Sequence, residues 1–251
     1  DNGSISTITL NAGSTEFVYC NATIRDYNGH SDVNYVNATF WDNSTATQED
    51  ILNNNSVYRN NTCTNVGDDG QYLSYWQCGF YVSYYANNGS QWACNISAED
   101  NSSFNTNNYN ITSVDSLYAL NITTNSIDYG QVPVEGISEN QSAVVVNFGN
   151  KPINVSVWGY GAVPGDNLAF NCSLNANISI ENERFSTNIS HIFSEKNNLS
   201  GSPQNVDFTI PKQTAPASLQ QNTTYWQVYI PATGNPAGLC TGTIVFEAGS
   251  P

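Results

Sequence analysis

The chain has 251 residues and a formal net charge of −15, yet only 11% of its residues are charged, against about 25% in typical soluble domains. Six basic residues cannot neutralise a phosphate backbone or form a basic membrane patch, which excludes nucleic acid and anionic lipid surfaces as partners. No apolar run reaches the ~18 residues that span a bilayer, so no membrane insertion is expected.

Strand signals run the length of the chain: period-two alternation, β-branched and aromatic residues, and turn clusters at short intervals. "ISTITL" is read as the first strand, "EFVYCNATI" as the second and "VNYVNATFW" as the third. "QEDILNN" is the one stretch with the look of a helical turn. "GQYLSYWQCGFYVSYYA" supplies one or two strands, "SQWACNISAED" the next, and "NYNITSVDSL" leads out. This completes a first β-sandwich over residues 1–116. A second, over 117–251, opens with "LYALNITTNSIDYGQVPVEG". Its strands "AVVVNF" and "INVSVWGY" are joined by an Asn-Phe-Gly-Asn-Lys-Pro turn, and "TTYWQVYI" and "GTIVFEA" follow. The fold class is all-β, two tandem β-sandwich domains, the first immunoglobulin-like. A start at Asp1 with no Met anywhere fits a mature chain whose leader has been removed.

The polar surface is written in 38 Asn, 27 Ser and 21 Thr. Asn-x-Ser/Thr occurs eighteen times: at Asn2, Asn21, Asn37, Asn43, Asn54, Asn60, Asn88, Asn95, Asn101, Asn110, Asn121, Asn140, Asn154, Asn171, Asn177, Asn188, Asn198 and Asn222. Chance in so Asn-rich a chain gives about seven, so N-glycosylation is the better account. Many of these sequons have an apolar middle residue. In a strand that residue enters the core while Asn and Ser/Thr share the solvent face. Glycans would then cover sheet faces and supply the solubility that charge does not.

Six cysteines without zinc-like spacing point to three disulfides and an oxidising compartment. They allow many connectivities. A Cys on an early strand, a Cys on a late one and a Trp between them is the immunoglobulin-like pattern. On that pattern Cys20 pairs with Cys94 between sheets, Cys63 with Cys78 closes a local loop, and Cys172 and Cys240 remain. The last bridge spans a loop of about 67 residues, which on chain entropy stabilises by about 4 kcal/mol. The two Cys-Asn-x-Ser/Thr segments put Cys20 and Cys94 inward and Asn21 and Asn95 outward.

"VYCNATIRDYNGHSDVNYVNATFWDNS…WACNISAED" resembles the immunoglobulin-like domains of archaeal cell-surface proteins. The second half, "IDYGQVPVEG…VVVNFGNKPINVSVWGYG…TTYWQVYIPATGNPAGLCTGTIVF", is similar to a sandwich that often follows it. The resemblance implies a surface-layer, adhesin-like or filament component and carries no catalytic residues.

The remaining candidates are local. "DYNGHSD" offers Asp26, Asn28 and Asp32 as oxygen ligands for calcium, with Glu99 and Asp100 on the adjoining loop. The plainer reading is an Asn-Gly turn with solvated acids, and no metal is expected. Tyr72, Tyr75, Trp76, Phe80, Tyr81, Tyr84 and Tyr85 divide between core, a protein contact and a sugar-stacking platform. Strand parity through "NISHIFS" sets His191 on the face of Ile189 and Phe193, as a half-buried packing residue. With no nucleophile elbow the chain is not read as an enzyme. The expected function is a structural subunit of an extracellular, heavily N-glycosylated surface filament or pilus, polymerised with copies of itself. Residues 1–10, with Ile8 and Leu10 as inward pegs, would complete a neighbour's sheet. The alternatives are a surface-layer component and a monomeric adhesin or glycan-binding module. In those residues the competing arrangement is pairing within their own domain.

Overall fold

The computed structural model describes residues 6–251. Among these the only helical segments are three short 3-10 turns, His30–Asp32, Ile180–Asn182 and Phe193–Glu195, and the fold is all-β. "QEDILNN" forms turns and no helix.

The first unit holds seven strands: β1 (Thr15–Arg25), β2 (Val33–Asp42), β3 (Val57–Asn60), β4 (Thr64–Asp68), β5 (Leu73–Ser83), β6 (Gly89–Asp100) and β7 (Asn105–Val114). They form two antiparallel sheets, β1-β5-β4 and β3-β2-β6-β7. Alternation places one side chain in two from each sheet in the core, where Phe40, Phe80, Val82 and Trp92 are buried. The Phe40 and Trp92 rings lie 4.7 Å apart. The Cys20–Cys94 disulfide joins β1 to β6, one from each sheet. The Cys63–Cys78 bridge ties the segment before β4 to β5. "GQYLSYWQCGFYVSYYA", read as one or two strands, forms one, its even-numbered residues turned inward from Ser74 to Val82.

"ISTITL" differs from expectation. Among its described residues it is not a strand but makes a single parallel bridge, Ile8 to Val114. The Ile8 amide donates to the Ser113 carbonyl (2.8 Å), and the Asp115 amide donates to the Ile8 carbonyl (2.9 Å). Ile8 and Leu10 are buried in the first unit's own core. Residues 1–5 of the expected donor segment, and the sequon at Asn2, lie outside the described residues.

The second unit contains β8 (Leu120–Ile122), β9 (Gln141–Asn147), β10 (Ile153–Tyr160), β11 (Leu168–Leu174), β12 (Ile178–Ser179), β13 (Glu183–Ser186), β14 (Asn197–Asn198), β15 (Gln204–Ile210), β16 (Gln221–Val228), β17 (Ala237–Thr241) and β18 (Thr243–Gly249). Its sheets run β14-β13-β16-β9-β8, β15-β10-β18 and β12-β11-β17. The turn after β9 joins strands of different sheets, so β9 and β10 face each other across a core built on Trp226, Phe185, Val155 and Ile210. Cys172 and Cys240 are direct cross-strand partners on β11 and β17 and are bridged.

The expected boundary is 116/117, and the first long segment of the first unit ends next to it, at Leu117. Residues 148–151 and 213–218 belong to the first unit. Within it Asn150 donates to the Asp115 carbonyl (2.9 Å) and accepts from the Leu117 amide (2.7 Å). Phe148 packs on Tyr84, ring centroids 5.5 Å apart.

Candidate functional site

The sequons are the commonest chemical feature, and the strands set where each points. Ten sequon asparagines are exposed: Asn21, Asn43, Asn101, Asn121, Asn140, Asn171, Asn177, Asn188, Asn198 and Asn222. Asn37, Asn54, Asn60, Asn88, Asn110 and Asn154 are half-buried. The expected inward turn of the middle residue is seen at Ala38, Val155, Ile178 and Leu199, all buried. It is reversed on β7, where Thr112 and Val114 face the core and Ile111 faces solvent. It is also absent at Ile189, which sits in a turn and is exposed.

The paired Cys-Asn-x-Ser/Thr segments are not equivalent. Asn21 on β1 is exposed, and its Oδ1 accepts from Gln77 Nε2 at 3.1 Å across the ladder. Among the described residues, the nitrogen to which a glycan attaches has no hydrogen bond. Asn95 on β6 is buried, contrary to the outward position expected for it. Its Nδ2 donates to Gln48 Oε1 at 2.9 Å, and its Oδ1 is buried without a partner. Gln48 belongs to the irregular segment after β2, so a loop covers a sheet position that parity alone leaves open.

The acidic turn assembles differently from the set expected. Asp26, Asp32 and Asp100 bring one carboxylate oxygen each to within 4.8 Å of one another, whereas Glu99 is not among them. Each acid also holds local backbone or amide groups. Asp26 accepts from the Asn28 amide (2.8 Å) and Asp32 from Asn101 Nδ2 (2.9 Å). Asp100 accepts from the amides of Ser102 (2.8 Å) and Phe104 (2.9 Å). Asn28 Nδ2 reaches Asp32 at 3.5 Å. All-oxygen donors suit a hard cation, and the same carboxylates hold the turn through these hydrogen bonds.

Alternation divides the aromatic run. Phe80, Tyr84 and Tyr85 are buried, Trp76 is half-buried, and Tyr72, Tyr75 and Tyr81 are exposed. Tyr81 joins Phe17 and Tyr19 of β1 on the outer face of the β1-β5-β4 sheet, a patch that the run alone did not reveal. Each histidine meets one polar side chain. His30 lies 3.7 Å from Asp68. His191 is not on a strand; its Nδ1 meets Ser186 Oγ at 2.8 Å, and that oxygen also accepts from the Asn188 amide. This ties a turn together, and among the described residues no carboxylate bonds His191.

Two further features escaped the sequence. Glu183 is fully buried on β13, with the Tyr129 hydroxyl donating to it at 2.7 Å. Burial pushes its carboxyl up to about 7, against a smaller opposite effect of that hydroxyl. It lines a cavity of about 610 Å³ in the second unit with Ile122, Ile127, Ile244 and Phe246. The other feature is the outer edge of β1, the terminal strand of its sheet over 11 residues. Between it and β7 lies a cavity of about 280 Å³ lined by Ala22, Ile24, Ile96 and Ala98.

No family model matches the chain, and no curated protein matches it. Among solved structures it is similar to the CsuC–CsuE chaperone–tip adhesion subunit pre-assembly complex of archaic chaperone-usher Csu pili from Acinetobacter baumannii. That match has 14% identity and a TM-score of 0.45, over 98% of this chain and 99% of that one. A chaperone–tip adhesin complex of CFA/I fimbriae biogenesis matches at 10% identity and TM-score 0.34, over 100% and 97%. The secreted serine protease VesC of Vibrio cholerae matches at 4% and 0.22, over 98% of this chain and 51% of that one. With TM-scores below 0.5, these likenesses assign no function to this chain.

Proposed function

We propose that the chain is a structural subunit of an extracellular, N-glycosylated surface filament, built by exchange of residues 1–10 between copies. Three disulfides support an oxidising compartment, and the exposed sequons support a glycosylated surface. The observation that carries the assembly is the way residues 6–10 are held. Ile8 and Leu10 act as two apolar pegs in the core, while the backbone joins the sheet at one bridge. Burying two such side chains stabilises by about 1.5–3 kcal/mol each. The turn at residues 11–14 follows, closed by the Ser14 amide on the Asn11 carbonyl at 3.2 Å. If that turn opens, the same segment of a second copy fills the same pockets at no cost in contacts. A head-to-tail exchange that does not close on itself gives an open filament.

Thr7 Oγ1 and Ser113 Oγ lie 3.0 Å apart, within the reach of a disulfide if both become cysteine. In native material carrying Thr7→Cys and Ser113→Cys, exchange gives covalent ladders of subunits on a non-reducing denaturing gel, and electron microscopy shows filaments. Single chains only, with the two introduced cysteines bridged within one chain inside intact filaments, would remove the exchange mechanism. Monomeric native material without filaments would overturn the subunit reading itself.

A further inference from the structure

The outer face of the β1-β5-β4 sheet carries three aromatic rings that nothing in the described chain covers. Phe17 is 39% exposed, Tyr19 44% and Tyr81 68%. The Phe17 and Tyr19 rings meet edge to face at 4.6 Å, and Phe17 and Tyr81 lie 4.5 Å apart. Phe17 has a packing role, because its ring fills the space over Gly79, where an added Cβ would come within 2.5 Å of it. Tyr19 and Tyr81 touch only the edge of this cluster through Phe17 and leave most of their outer faces in water. Three clustered rings left in water form an exposed apolar patch, and such patches mark a contact.

The register says what makes that contact. Tyr19, Asn21 and Thr23 succeed one another on one face of β1, with Gly79, Gln77 and Tyr75 opposite them on β5. Residues two apart in a strand are about 7 Å from each other on the same face. The glycan acceptor therefore follows Tyr19 on the same face at about 7 Å along the strand. Gln77 holds the oxygen of the Asn21 carboxamide, which leaves its nitrogen free to carry the sugar. Gly79 opposite Tyr19 brings no side chain of its own, the space above it being taken by the Phe17 ring, and β1 is the edge strand of its sheet. A pyranose presents an apolar face of C–H groups to an aromatic ring, while the tyrosine hydroxyl keeps its polar tip in water.

We propose that Tyr19 and Tyr81 are a docking platform for the chain's own N-linked glycan at Asn21, whose first sugars stack on the rings and order the glycan along the sheet. This rests on the reading of Asn21 as a glycosylated residue. The sugar would cover the patch that the strand alternation leaves bare.

Peptide mass spectrometry of the native protein first reads occupancy at Asn21. An unmodified Asn21 overturns both the glycosylation reading and the platform. With Asn21 occupied, Tyr19→Ala and Thr23→Ala, which deletes the sequon, are combined in a cycle. The platform predicts that Tyr19→Ala lowers the thermal midpoint by about 2–4 °C more in the glycosylated chain than in the Thr23→Ala background. Tyr19→Phe, which keeps the ring, restores it. Additive effects overturn the platform and leave the glycosylation standing. Proton NMR gives a readout that stability alone would not move: upfield, ring-shifted sugar protons that are lost in Tyr19→Ala. Unshifted sugar protons, or loss of self-association in Tyr19→Ala with the sugar signals unchanged, would make the face a protein contact instead.

Discussion

Single residues show how far strand parity carries and where it stops. Parity correctly turns Cys20 and Cys94 inward and Asn21 outward, because those positions are decided by the strand and its partner alone. It fails at Asn95, because Gln48 comes from a loop about fifty residues earlier whose path no local pattern encodes. Glu183 was equally hidden. In sequence it is one acid among 21 Asp and Glu, and only the fold buries it under Tyr129 at the wall of a cavity. Its consequence is a pH dependence of defined sign. The folded chain holds the Glu183 proton up to about 7, whereas the ordinary value is 4.5. The folded state therefore binds more protons than the unfolded one between these values, and stability falls as pH rises through that window. At 1.36 kcal/mol per unit the loss is on the order of 3 kcal/mol. Glu183→Gln keeps an acceptor for the Tyr129 hydroxyl and cannot ionise. It is expected to match the native chain near pH 4.5 and to melt higher at pH 8. Parallel profiles for the two proteins from pH 4 to 8 would refute this role for Glu183.

At the scale of elements, the alternating runs were legible and their ends were not. β1, β2, β6, β9, β10 and β16 stand where period-two patterns predict them, because both faces of each strand are set by burial. "ISTITL" reads as a strand but is held at one bridge, since alternation specifies a peg spacing and says nothing of the partner. On β7 a run of polar residues from Asn105 to Asn108 gives alternation little to grip, and its parity reverses. The cysteine pairs followed from the order of strands. Their weight differs with the chain each one closes: 74 residues separate Cys20 and Cys94, and 15 separate Cys63 and Cys78. Chain entropy gives about 4.5 and 3 kcal/mol respectively. Replacing the first pair by alanines should lower the urea-unfolding free energy of the first unit by about 1–2 kcal/mol more than replacing the second. Equal losses, or the reverse order, would show that the bridges act through native packing and not through loop closure.

For the molecule as a whole, a main core in each unit was readable, because two sets of strands each carry their own large buried aromatics, Trp92 in one and Trp226 in the other. The connectivity was not. A sequence can be cut only at points along the chain, whereas the first unit also takes in residues 148–151 and 213–218. Those short segments make specific contacts there. Phe148 lies over Gly13, whose φ of +66° makes the turn after Leu10, and the Gly13 amide donates to the Phe148 carbonyl at 3.2 Å. Asn150, itself buried, binds the backbone of Asp115 and Leu117. The Tyr84 hydroxyl donates to the buried Gln213 side chain. A fragment ending at Leu117 loses all of these, including about 1.5–3 kcal/mol for the aromatic burial alone and about 1 kcal/mol for each hydrogen bond. Residues 1–117 expressed alone, with the disulfides formed, should therefore unfold at least ~2 kcal/mol more readily than the same unit in the full chain. Hydrogen exchange at the core strands β2 and β6 reads this directly, with protection falling in the fragment and holding in the intact protein. Equal protection in the two would mean that residues 148–151 and 213–218 rest on the first unit without stabilising it, and that a cut near residue 117 is energetically real.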